Sequence, residues 1–262
     1  MNVAVPILMY HEVTPHPLDA YRKYSVTPAE LARQLAWLCA EGYTAVDMDA
    51  VRDGMRGTRA LPARPVAITF DDGSRDCLEH GVPVLTAHGV TATFFIVAGL
   101  VGATTRWLLA ERGFELPTAD WTTLRAAEQA GMRCEAHSVT HPRLATLSAG
   151  ACRVELTRAR EVIEEGVGHA INHLAYPFGS FSGETRDIAA EVGYHTACTV
   201  ERRLATPEEE LLALPRIPVL GGETMQDFAL RIGGGDPVRT MQGPLSTLSR
   251  RFGMGTSRDP TS

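Results

Sequence analysis

Two adjacent carboxylates, Asp71 and Asp72, close the apolar run Val66-Ala67-Ile68-Thr69-Phe70 and stand directly before Gly73. Far downstream, His137 and His141 follow a second strand-like stretch, Met132-Arg133-Cys134-Glu135-Ala136. Successive side chains of a strand point to opposite faces, so paired carboxylates at a strand end can divide two tasks, one holding a cation and the other handling a proton. Catalytic zinc sites use three protein ligands, from carboxylate oxygen and imidazole nitrogen among others, and keep one position open. Asp72, His137 and His141 supply such a set. Taken singly, Asp-Asp-Gly is an ordinary turn and each histidine an ordinary loop residue. Two chemically complementary pieces at the ends of strands in one alternating series are harder to dismiss. Pro142, directly after His141, disfavours a helix, so the histidine pair is expected on a loop.

The elements that would carry these residues alternate. Val3 to Tyr10 reads as a buried strand, and Thr27-Pro28-Ala29-Glu30 combines an N-cap, a first-turn proline and a capping-box glutamate for a helix through about Cys39. Strands are expected at Tyr43 to Met48, Val66 to Phe70, Thr91 to Val97, Met132 to Ala136, His173 to Tyr176 and Thr196 to Val200. Helices are expected near Leu78 to His88, Trp121 to Ala130, Ser148 to Glu165 and Thr185 to Val192. A β/α series of this kind implies a parallel α/β sheet or barrel, whose sites gather at the C-terminal ends of strands. One catalytic domain is expected over 1–232. The Gly233-Gly234-Gly235-Asp236-Pro237 break introduces a Gly-, Pro-, Ser-, Thr- and Arg-rich stretch, 233–262, read as a flexible tail.

Composition narrows the partners. With 262 residues, 44% of them hydrophobic, the chain can bury one sizeable core. A net charge of -6 argues against nucleic acid or an anionic membrane as partner. Five widely spaced cysteines without a Cys-x-x-Cys pair, Cys39, Cys77, Cys134, Cys152 and Cys198, suggest free thiols. The N-terminus has no basic start and only a short apolar run, so neither a signal peptide nor a membrane span is expected and a cytoplasmic location follows. Oligomeric state is not addressed by any of these features.

Through Thr69-Phe70-Asp71-Asp72-Gly73 and His137-Ser138-Val139-Thr140-His141 the chain resembles the polysaccharide deacetylase family, the carbohydrate esterase family 4 or NodB-homology group. The likeness extends to Met9-Tyr10-His11-Glu12-Val13, Ala92-Thr93-Phe94-Phe95, Trp121-Thr122-Thr123-Leu124, Ala175-Tyr176-Pro177-Phe178-Gly179 and Gly193-Tyr194, and so covers roughly residues 3 to 220. Its Tyr-Pro-Phe-Gly motif is most similar to the exopolysaccharide (poly-N-acetylglucosamine) deacetylase branch. The resemblance implies a distorted (β/α) barrel with fewer than eight regular repeats and metal-dependent removal of an N-acetyl group from a sugar, saccharide or glycoconjugate. It implies Asp71 as general base, Asp72, His137 and His141 as ligands of a divalent metal, zinc first with cobalt, nickel or iron as alternatives, and the backbone N–H of Phe178 as an oxyanion donor. The same activated water would also attack an O-acetyl ester, a formamide or a cyclic imide, and a catalytically silent saccharide-binding protein is the reading from another class.

Two departures from the family pattern concern the support of Asp71. Ala175 stands where much of the family has an orienting arginine, and Leu214-Pro215-Arg216 where a Leu-x-His would supply a general acid. Arg216 is expected to take over the orienting role, because a guanidinium can hold a carboxylate bidentately. His11, ending the first strand, is the first candidate for proton transfer, and His195 the next. Tyr176, Pro177 and Trp121 are expected at the substrate, with Trp107 or Trp121 as a stacking wall for a sugar ring.

Overall fold

Strand and helix alternate as expected, and the strands are all laid down in one direction. The structure is a computed structural model and describes residues 4–233. The chain divides into two units, Met1–Glu223 and Thr224–Ser262. In the first unit the order is β1 (Ile7–Tyr10), β2 (Glu12–Val13), β3 (Ser25–Val26), α1 (Pro28–Ala40), β4 (Thr44–Ala45), α2 (Met48–Met55), β5 (Pro65–Phe70), α3 (Arg75–Ala87) and β6 (Thr93–Ile96). It continues with α4 (Arg106–Arg112), α5 (Trp121–Gln129), β7 (Arg133–Ala136), α6 (Ala149–Val167), β8 (His173–Ala175), α7 (Gly183–Val192), β9 (Thr196–Cys198) and β10 (Ile217–Pro218).

The main sheet runs β10-β1-β5-β6-β7-β8-β9, with β4 against β5 off this path. Every pairing along it is parallel. The segment entering β10 closes the ring. Leu214 bridges Cys198 of β9 in parallel, and three residues later β10 takes up register with β1, Ile217 opposite the pair partner Leu8. The result is the distorted (β/α) barrel expected from the resemblance, closed by a strand too short and too irregular to announce itself in the sequence.

Side-chain alternation divides the strands into two layers. Ile7 and Ala67, register partners, join Phe95, Ala175, Cys198 and Leu214 in one buried cluster. Farther along the same faces come Met9, Thr69 and Asp71, so this apolar plug lies beneath the catalytic candidates. On the opposite face Tyr10, Phe70 and Phe94 stack in sequence, at centroid distances of 5.0 and 4.7 Å. Helix α1 begins as predicted, with a reciprocal capping box between Thr27 and Glu30 and proline in its first turn. It turns Leu31, Leu35 and Leu38 inward at helical spacing, all buried, each worth roughly 1.5–3 kcal/mol of transfer free energy.

Several boundaries differ from expectation. The strand predicted over Tyr43 to Met48 shrinks to β4, because Asp47 accepts a 2.7 Å bond from the Ala50 N–H and caps α2 there. The first strand covers only Ile7–Tyr10, although Val5 makes an isolated antiparallel bridge to Ala205. Helix α4 and strands β2, β3 and β10, none of them predicted, are all seven residues or shorter. The described part of the second unit is α8 (Met225–Arg231), opened by a capping box between Thr224 and Asp227. The expected tail, 233–262, lies outside the described residues apart from Gly233. Among the described residues no helix is long and apolar enough to cross a membrane.

Candidate active site and metal centre

The C-terminal ends of β1, β5, β7 and β8 meet at one mouth of the barrel, around a cavity of about 480 Å³. Asp71 follows β5, and its N–H donates to Tyr10 O of β1 at 3.0 Å. Its carboxylate receives two parallel bonds from Arg216, Nη1 to Oδ1 and Nη2 to Oδ2, each 2.7 Å. Arg216 has no exposed surface and spends its other donors on Thr199 O, 3.0 Å from Nε, and Thr69 Oγ1, 3.1 Å from Nη1. Burial by itself would raise the Asp71 pKa, but the charges of Arg216 and His137 and the Arg216 hydrogen bonds override it and hold the carboxyl below its usual value. Arg216 thus holds the Asp71 carboxylate bidentately, reaching it from the barrel-closing segment rather than from the position of Ala175.

Asp72 leaves the strand with φ of 74°, and Gly73 continues in the same left-handed region at 66°. A Cβ on Gly73 would also lie 2.9 Å from the Ile96 side chain, so glycine is needed there twice over. The histidines sit on a loop, as Pro142 suggested. Ala98 and Gly99 N–H groups donate to Ser138 and Val139 carbonyls at 3.0 and 2.9 Å. Glu155, projecting from α6, accepts the Val139 and Thr140 N–H groups at 2.8 and 3.0 Å and the Thr140 hydroxyl at 2.7 Å. Ser138 Oγ accepts the His141 N–H at 3.0 Å. Among the described residues, Asp72, Ser138, His141 and Phe178 are the non-glycine positions with positive φ, and all four belong to the mouth. A left-handed conformation costs roughly 1–2 kcal/mol per non-glycine residue, so strain is concentrated where function would justify it.

The ligand atoms of Asp72, His137 and His141 lie within 4.8 Å of one another, all buried. Asp72 Oδ1 is 3.3 Å from His141 Nε2 and 3.6 Å from His137 Nε2, and the two Nε2 atoms are 3.2 Å apart. His137 Nδ1 is 2.7 Å from Ala175 O. A carbonyl only accepts, so Nδ1 carries a proton and Nε2 is the nitrogen turned to the cluster, the orientation typical of metal-ligating histidine. Two imidazole nitrogens and a carboxylate oxygen crowded this closely suit a shared cation, and the donor set fits a divalent metal. Burial would raise the Asp72 pKa, but hydrogen bonds from His137 and His141 pull it well below the carboxylate range. Burial lowers that of His141, against the opposing pull of Asp72.

Three aromatic residues frame the cluster. Trp107 stacks on His141 at 4.1 Å and 21°, and Phe178 meets the same imidazole edge-on at 4.5 Å and 70°. Tyr21, which sequence reasoning missed, donates its hydroxyl to Asp72 Oδ2 at 3.3 Å. It precedes β3 in a short 3-10 helix, Asp19–Tyr24, whose sequence carries no signal beyond two tyrosines. Glu155 was equally invisible, being one of several acids on an amphipathic helix.

Some expected site residues lie elsewhere. Trp121 opens α5, and its ring covers Gly166 of α6, where an added Cβ would fall 2.0 Å from the indole; it packs two helices together and does not line the cavity. Trp107 is the tryptophan at the mouth. Tyr176 is buried, with its hydroxyl donating to Leu212 O at 2.9 Å and its ring stacked on Phe181 at 4.9 Å. Pro177 is likewise buried, so both shape the turn that presents Phe178 and neither reaches the cavity. His195 precedes β9, at the opposite end of the sheet, where Arg52 Nη1 is 2.9 Å from its Nδ1. His11 does line the cavity, edge-on to Tyr24 at 5.3 Å.

A closed parallel barrel with an arginine-held carboxylate beside an Asp-His-His cluster defines a barrel protein with a candidate metal centre and base at one mouth. The polysaccharide deacetylase family model matches residues 58–197, which include Asp71, Asp72, His137 and His141. The chain belongs to the polysaccharide deacetylase family. YxkH of Bacillus subtilis (strain 168) is 25% identical over 228 residues, covering 87% of this chain and 76% of that protein. Poly-beta-1,6-N-acetyl-D-glucosamine N-deacetylase of Escherichia coli (strain K12) is 23% identical over 256 residues, covering 86% of this chain but only 38% of its own length. Among solved structures, Streptococcus pyogenes deacetylase PplD in complex with acetate superposes with a TM-score of 0.77 at 23% identity, over 88% of this chain and 99% of that one. Divalent metal dependence is the norm of the family.

Proposed function

We propose that this protein is a metal-dependent hydrolase that removes an N-acetyl group from an N-acetylated saccharide, as the names of its poly-N-acetylglucosamine deacetylase relatives suggest. The observation that carries this reading is the pair of 2.7 Å bonds fixing Asp71 beside the Asp72, His137 and His141 cluster. Asp72, His137 and His141 would hold the cation, and zinc suits a set of two imidazoles and one carboxylate, with cobalt, nickel or iron as substitutes. When bound, the cation supplies Lewis acidity towards water and the amide oxygen.

Asp71 takes the proton of the attacking water. With both oxygens engaged by Arg216 and its pKa depressed, it is ionised at neutral pH but a weak base, so it would depend on a cation held by Asp72, His137 and His141 to supply acidity to the water. The water oxygen bonds to the acetyl carbon, and the Phe178 amide stabilises the developing oxyanion; its residue lies in the cavity wall with φ of 58°. Collapse breaks the C–N bond, and the amine leaves with a proton for which His11 is the cavity residue available. Acetate and a free amine are the products. Trp107 offers an apolar wall. Acetate release from N-acetylglucosamine oligomers by the zinc-loaded protein tests the reading, and a protein that releases none from N-acetylated saccharides of any length contradicts it.

A further inference from the structure

The chain is net negative, yet its cavity is rimmed by cations. Lys23, Arg112, Arg143 and Arg202 line the mouth together with a single peripheral carboxylate, Glu111. They come from four separate places in the chain: the 3-10 helix before β3, the end of α4, the loop after His141 and the segment after β9. Arg143 is 3.2 Å from Glu111, whereas Lys23, Arg112 and Arg202 have no carboxylate within ion-pair distance among the described residues. The two aspartates deeper in the cavity do not neutralise them, since Asp71 is matched by Arg216 and Asp72 belongs to the metal cluster. A chain with 31 acidic against 25 basic residues thus leaves three cations unmatched at the one place where substrate must enter.

Ring contacts arrange these heads. The Arg143 guanidinium lies 4.1 Å from the Phe178 ring centroid, Arg112 lies 5.0 Å from that of Tyr24, and the Lys23 ammonium 5.7 Å from the same ring. Phe178 and Tyr24 themselves line the cavity. Arg143 Nη2 is engaged by Glu111 and Arg112 Nη2 donates to the Tyr24 hydroxyl at 3.5 Å, so stacking on aromatic faces leaves the other N–H groups of each guanidinium for an oxygen-rich anion.

Deepening the deacetylase reading, and resting on it for the acetamido end of the substrate, we propose that this mouth binds an N-acetylated sugar bearing a phosphate group. Three unmatched cations suit the double charge and several oxygens of a phosphate or diphosphate better than the single charge of a uronic acid. A sugar phosphate, a nucleoside-diphosphate sugar and a lipid-diphosphate sugar share that chemistry.

Calorimetric titration of the zinc-loaded protein with N-acetylglucosamine, N-acetylglucosamine 1-phosphate, a uridine-diphosphate-linked and a short prenyl-diphosphate-linked N-acetylglucosamine, and a glucuronate-containing disaccharide of N-acetylglucosamine tests this. Phosphate-bearing sugars are expected to bind at least about tenfold more tightly than the neutral and uronate-bearing ones. That preference is expected to fall in about 0.5 M NaCl, where exposed charges are screened. The triple variant Lys23→Gln/Arg112→Gln/Arg202→Gln, whose sites are exposed, should keep its fold by circular dichroism and lose the preference while binding the neutral sugar as before. Equal affinity for neutral and phosphorylated sugars, an equal preference for the uronate, or a preference that survives in the triple variant overturns the proposal. Acetate assays on the same sugars separate it from the deacetylase reading: release without phosphate preference removes only the proposal, and phosphate-selective binding without release from any sugar removes only the deacetylase reading.

Discussion

Arg216 and Asp71, 145 residues apart in the chain, are joined by two parallel 2.7 Å bonds in a fully buried pair. The arginine arrives on the short segment that closes the barrel between β9 and β1, so closing the fold and orienting the candidate base are a single structural event. The pair also explains how a chain with Ala175 in the customary arginine position keeps its aspartate ionised.

Replacing Arg216 tests that coupling. Arg216→Lys retains charge but loses the planar fork, and kcat/KM for acetate release is expected to fall at least about 100-fold, in line with the cost of a misplaced catalytic group. Arg216→Met leaves Asp71 buried and unpaired, and thermal unfolding should show a loss of about 3–5 kcal/mol. Zinc content of the lysine variant should be unchanged; wild-type activity in that variant would separate Arg216 from the chemistry.

The two tryptophans are expected to behave differently. Trp121→Ala opens the packing over Gly166 and should cost about 2 kcal/mol of stability with KM unchanged. Trp107→Ala removes the face stacked on His141 and should raise KM by about three- to tenfold. Steady-state kinetics and denaturant melts on both variants check this, and a KM effect at Trp121 would reverse the assignment.

Glu12 supplies a pH signature. Buried on β2, it is pushed up to about 8, mainly by desolvation and by the nearby charges of Asp76 and Asp72, against a hydrogen bond with Ser74 that pulls the other way. A carboxyl raised in the folded state binds a proton there that the unfolded chain has lost, so stability declines as pH climbs from about 4.5 towards 8 and levels off beyond. The slope contributed is at most about 1.4 kcal/mol per pH unit. Glu12→Gln should remove that slope and stabilise the protein at pH 8 relative to wild type. Denaturant unfolding at pH 5 to 8 measures it, and parallel curves for the two proteins would rule the assignment out.

Much of this was legible from local pattern. Thr27, Pro28 and Glu30 announced α1, and the run ending in Asp71 and Asp72 announced β5 and its end, because capping and strand termini are written in adjacent residues. Pro142 correctly placed the histidines on a loop. Long-range relations were harder to read. Tyr21 reaches Asp72 across 51 positions, and Glu155 clamps the His137–His141 loop from another element, with nothing local to mark either. Trp121 was drawn towards substrate because aromatic residues suit sugars, yet a glycine one helix away decided its place. The Asp47 cap that turned a predicted strand into α2 shows tertiary context and a single side-chain bond overriding strand periodicity.

Paired measurement of zinc stoichiometry and acetate release for Asp71→Asn and Asp72→Ala tests the division of labour between the adjacent aspartates most directly. Asp71→Asn is expected to retain one bound zinc while losing about 10²–10⁴-fold in acetate release, the usual contribution of a general base. Asp72→Ala should lose both metal and activity. A zinc-loaded Asp71→Asn protein with wild-type turnover, or an Asp72→Ala protein that keeps its zinc, would contradict the account.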